Sequence, residues 1–165
     1  MALESIADFC GELNTPGVRM VEYLPTAWVD SANYEQIVNA YRNWQYDIPL
    51  LGGATWLKAP IINSGKLWDE RPRPNAQGTA YEQSVSGITP KMKPAVTDQF
   101  EQMDGYTFLL RITDRTNQVW ILGTLDHPFT FAAPSTTGSG NARNQYSLNF
   151  SATTPRRAYG FVPEF

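Results

Sequence analysis

The sequence holds one histidine, His127, in the stretch LDHPF, with Asp126 before it and Pro128 after it. An imidazole titrates near neutrality, so it is the natural general base or metal ligand of a small protein. Either role needs partners. Asp126 is the only acid close by in sequence, and no second His or Cys accompanies the pair. Asp, His and Pro between two apolar segments also suit the backbone geometry of a turn, and His127 is expected to serve there.

A serine nucleophile would sit on a strained turn such as G-x-S-x-G. The stretch TGSGN, Thr137 to Asn141, lacks the first glycine at the right spacing and follows polar residues. A phosphate-cradling loop would need G-x-x-x-x-G-K-[ST] and a helix after it, but here an alternating strand pattern follows. Asp69, Glu70, Glu101, Asp104, Asp114 and Asp126 could supply a carboxylate pair for glycoside hydrolysis, yet nothing in their spacing brings two together, and none matches a calcium loop. No catalytic residue, cofactor or metal site is expected.

Aromatic residues are the richest feature: five Trp, eight Tyr and eight Phe. Exposed, they would form platforms for sugars; buried, they would build a core or a subunit interface. Trp120 and Phe150 sit in apolar strand patterns and read as core. Trp68 adjoins the charged, proline-broken DERPRPNAQG and reads as a contact residue. The expected interface set is Leu67, Trp68, Arg71, Arg73, Thr136, Gly138, Asn141 and Arg143.

These residues are positioned by mostly short, alternating segments. The N-terminal MALESIADFCGELNTP (1–16) reads as an arm or short helix closed by Pro16 and Gly17. VRMVEYLP is strand-like up to Pro25, and SANYEQIVNAYRNWQY places Tyr34, Ile37, Val38 and Tyr41 at helical steps, although Tyr41 and Trp44 could also begin a strand. Tyr81, Gln83, Val85 and Gly87 alternate as a strand ending at Pro90. KPAVTDQFEQMDG predicts a helix, with Pro94 in the first turn, Val96, Phe100 and Met103 on one face, and Gly105 closing it. Tyr106 to Gly123 reads as a hairpin turning at DRTNQ. Phe129 and Phe131, then Tyr146, Leu148 and Phe150, then RAYGFV give further strands. Long loops are expected at 63–78 and 132–145. The prediction is a single domain, 1–165, mainly β, as a β-sandwich or small barrel with one or two packed α-helices.

The 165 residues carry 13 Lys and Arg against 16 Asp and Glu, a net charge of -3. Proteins that grip nucleic acid through phosphates need a dense basic surface, so that class is disfavoured. Acidity lies in the first half: residues 1–82 hold 6 basic and 10 acidic side chains, residues 83–165 hold 7 and 6. Cys10 is the only cysteine, which excludes an intramolecular disulfide and fits a reducing compartment. The first residues do not resemble a secretory signal, and no apolar run is long enough for a membrane span.

GTAYEQSVSGITPKMKPAVTDQFEQMDGYTFLLRITDRTNQVWILG and then GSGNARNQYSLNFSATTPRRAYGF give a strand, a helix, a hairpin, a loop and a closing strand. In this order, over roughly residues 77–161, the chain resembles tail tube and related tail or connector proteins of tailed bacteriophages. The first half has no counterpart in that resemblance. It implies a virion structural protein, made in the host cytoplasm, that has no active site. Its sheets would join those of like subunits into a ring, possibly hexameric, around a channel through which DNA passes without specific binding. Loops and arms would reach other tail or connector proteins. Alternatives from other classes are a carbohydrate- or peptide-binding β-sandwich module and a small hydrolase using His127.

Overall fold

A computed structural model describes residues 17–34, 43–44, 47–62, 65–137 and 144–161. The strands are β1 (Val18–Pro25), β2 (Asn43–Trp44), β3 (Leu57–Lys58), β4 (Leu67–Asn75), β5 (Gly78–Pro90), β6 (Thr107–Asp114), β7 (Val119–Leu122), β8 (Phe129–Ala132), β9 (Ser135–Thr136), β10 (Gln145–Thr154) and β11 (Tyr159–Phe161), with one helix, α1 (Pro94–Met103). The fold is mainly β with a packed helix, as the alternating segments imply.

All strands join one sheet in the order β2-β11-β7-β6-β8-β10-β5-β4, with β1 on the other side of β6, β3 on β1 and β9 on β10. Pairing is antiparallel except between β11 and β2. The sheet rolls so that its halves face each other. Tyr23 of β1 and Phe150 of β10 bring their rings within 6.1 Å, and Phe108 meets both edge-on. The inner faces of β5 and β10 present Val85, Leu148 and Phe150 to this core, each no more than 1% exposed. Burying one such side chain stabilises the fold by about 1.5–3 kcal/mol. The roll is open at β4, which pairs only with β5 among the described residues.

A second core lies behind β6. Leu109 and Leu110 are both fully buried although consecutive residues point to opposite faces. Leu110 joins the inner core, whereas Leu109 packs with Leu24, Ile121 and Trp44 under the segment containing Val29 and Ile48. At the rim of this core Arg111 grips Glu22 through two nitrogens, at 2.7 and 3.0 Å, with its guanidinium over Trp56.

Helix α1 closes one end of the roll. Proline stands in its first turn and Phe100 and Met103 are buried. Phe100 packs edge-on to Tyr146, and Gly105 follows at φ 83°, so the chain turns into β6.

The expected loop at 63–78 is corrected. Residues 67–75 are a nine-residue strand paired with β5 from Leu67↔Ser86 to Asn75↔Gly78. Pro72 and Pro74 are tolerated because β4 is an edge: residues whose N–H points away from β5 lose no ladder bond. The turn uses Asn75, whose side chain accepts from the Gln77 N–H, and Gly78 at φ 133°. The expected loop at 132–145 contains β9, and its residues 138–143 lie outside the described residues. So do the N-terminal segment 1–16 and residues 35–42 of the expected first helix; Trp44 stands in β2.

Candidate interaction surfaces

The β4–β5 hairpin runs past the end of β10, whose pairing with β5 stops at Thr154↔Tyr81. From Arg71 to Thr79 every residue is exposed. Proline parity sets the edge: Trp68, Glu70, Pro72 and Pro74 turn their main-chain groups outward, and only the first two keep an N–H there. The free edge is thus open near the body and blunted toward the tip.

Side chains alternate with the same parity. Trp68 and Glu70 turn inward. Glu70 is the hub of the hairpin base: its carboxylate accepts from Gln83 Nε2 at 2.8 Å and from the Ala158 N–H at 2.8 Å, and pairs with Arg157 at 3.0 Å. Leu67, Asp69, Arg71 and Arg73 turn outward. Arg71 pairs with Asp69 and Arg73 with Glu82, so this face carries no net charge. It continues across Ser84, Ser151, Thr153 and Thr130, which line a shallow depression of about 650 Å³.

Of the expected interface residues, Leu67, Arg71 and Arg73 stand together on that outer face, and Leu67 is 59% exposed. Trp68 does not join them. It packs against the inner core with its ring on Trp120, and its Nε1 is buried without a hydrogen-bond partner. Tryptophan exceeds what the polar sequence around it suggests because strand parity, not local composition, sets its direction. Thr136 is exposed in β9; Gly138, Asn141 and Arg143 lie outside the described residues.

His127 is exposed, and its backbone closes the β7–β8 turn: its N–H reaches the Thr124 main-chain and side-chain oxygens at 3.2 and 3.1 Å. A cleft of about 290 Å³ lies beside it, lined by Asp126, Arg156 and Gln83 among others, with the Gln83 Oε1 buried and unpartnered. Among the described residues no three His, Cys, Asp or Glu side chains group as metal ligands, and no helix is long and apolar enough to cross a membrane. Asp114 is absorbed by its own turn, where it accepts from the Thr116 and Gln118 N–H groups and from Trp120 Nε1.

One surface was not anticipated. At the C-terminal end of α1, a groove of about 550 Å³ is lined by Trp28, Leu57, Glu101, Met103, Asp104 and Tyr106 among others. Trp28 and Tyr106 come from separate segments, so no local pattern announces them as a pair. Comparison of the chain with protein-family models, with curated proteins and with solved structures finds no match.

Proposed function

We propose that the chain is a structural subunit of a tailed-bacteriophage virion, a tail tube or adjoining tail ring protein that assembles through sheet and hairpin contacts around a DNA channel. The observation that carries this reading is the β4–β5 hairpin: a nine-residue edge strand with one side unpaired among the described residues, reaching beyond the body of the roll. An exposed strand edge is a template for another chain, and prolines restrict that template to the stretch at Trp68 and Glu70.

The outer face beside the hairpin supports the second half of the reading. A wall that passes DNA must not hold phosphates, and phosphate affinity comes from unpaired cations. There, Arg71 and Arg73 are each matched by a carboxylate, and Ser84, Thr130, Ser151 and Thr153 add neutral hydroxyls. The test is negative-stain microscopy and native mass spectrometry of the concentrated protein. Rings or tubes are expected; a strict monomer at high concentration, inert to tail partners, defeats the reading.

A further inference from the structure

Two patches at opposite ends of α1 complement each other. The groove at its C-terminal end has an apolar floor, Leu57 and Met103, beneath two accessible rings, Trp28 at 38% and Tyr106 at 54% exposure. Glu101 and Asp104, both exposed, rim it, and no Lys or Arg is among its described lining residues. Just before the helix, Lys91, Met92 and Lys93 are all exposed. Met92 is 38% exposed, an apolar side chain between two ammonium groups. Lys91 sits at φ 66°, and its N–H is held by the Asn144 carbonyl at 3.1 Å, which fixes the turn.

The knob cannot fill the groove of its own molecule, because ten helical residues, about 15 Å, separate them. The termini have the wrong sign: residues 1–16 carry Glu4, Asp8 and Glu12 with no Lys or Arg, and 162–165 carry Glu164. We propose that the Lys91–Met92–Lys93 knob of one copy seats in the Trp28–Tyr106 groove of the next. Met92 lies against the aromatic rings, a contact suited to its flexible, polarizable thioether, and the lysines face Glu101 and Asp104. Knob and groove are different surfaces, so the contact is heterologous. It propagates head to tail and closes into a ring if the rotation allows. The knob is too small to hold a complex by itself; it sets direction, while the strand edge supplies area.

This inference rests on the ring reading, and its test separates the two. The full chain is made as Lys91→Glu/Lys93→Glu and as Glu101→Lys/Asp104→Lys, with circular dichroism to check folding, and association is followed by sedimentation and native mass spectrometry. Each variant alone is expected to associate at least tenfold more weakly than wild type. An equimolar mixture of the two is expected to recover rings of alternating subunits, which a folding defect would not produce. If wild type forms rings and both variants do so equally well, the knob-and-groove contact is overturned and the ring reading stands. If wild type is monomeric at every concentration, both fall. If oligosaccharides quench Trp28 fluorescence in wild type and not in Trp28→Phe, the groove belongs to a sugar and the contact is overturned.

Discussion

The indole of Trp68 lies 5.5 Å from that of Trp120, although their strands, β4 and β7, do not pair in the sheet and β10 and β5 lead from the β8 side of β6 to β4. Only a rolled sheet brings them together. The pair therefore pins the β4 edge onto β7 and fixes the base of the projecting hairpin. Trp68→Ala is expected to cost about 3 kcal/mol in urea unfolding, as large-to-small core changes do. Trp68→Phe is expected to cost less than Trp68→Ala, since it keeps a smaller aromatic ring in the contact and removes an N–H without a partner. Equal losses for both would mean that the contact does not brace the roll.

Gly87 has a steric reason to be glycine. A Cβ there would lie 2.2 Å from Ile61 Cγ2, and β-branched isoleucine has little freedom to turn aside. Gly87→Ala is expected to destabilise by about 1–3 kcal/mol. In an Ile61→Ala background the same change should cost far less, a coupling that a double-mutant cycle measures directly.

Where burial follows a two-residue alternation, the sequence announces the strand, as at Val85 and Gly87 or Leu148 and Phe150. Helix α1 was legible for the same local reasons, proline at its start and glycine after it. Leu109 shares a face of β6 with Thr107, Arg111 and Thr113, and its burial belongs to a second core behind β6, which no window around β6 contains. The β4 strand was hidden because prolines and charges, the usual marks of a loop, are also what an exposed edge tolerates. The paired faces of the hairpin were only half legible: Leu67, Arg71 and Arg73 share a surface, but Trp68 turns inward. The Trp28–Tyr106 groove is assembled from β1 and the turn after it, β3, α1, and the stretch that leads from α1 into β6, and exists only once they pack.

Glu70 holds the hairpin base to the turn before β11. Its side chain is 13% exposed, and replacing it by alanine leaves the buried Gln83 amide and the Ala158 N–H without an acceptor. The expected cost is about 2–3 kcal/mol, mostly from those two stranded donors; half-exposed Arg157 adds little. Glu70→Gln keeps one acceptor oxygen and should lose less. Hydrogen exchange at the Ala158 amide is the direct readout, expected to quicken in Glu70→Ala; unchanged protection would remove Glu70 from this role.

Asp114 gives the β6–β7 turn an acid-sensitive hinge. Burial alone would raise its pKa, but hydrogen bonds from the Thr116 hydroxyl, Trp120 and the Gln118 and Thr116 N–H groups outweigh it and hold the carboxyl below its ordinary 3.8. The folded protein therefore binds this proton less readily than the unfolded chain does. Stability from the group is complete above the unfolded value near 3.8 and is lost as pH falls through the lower folded value. Urea midpoints taken from about pH 5 down to about pH 2 should fall more steeply for wild type than for Asp114→Asn, which has no proton to take up. Parallel curves for the two proteins would show that the turn's hydrogen bonds do not depend on the charge of Asp114.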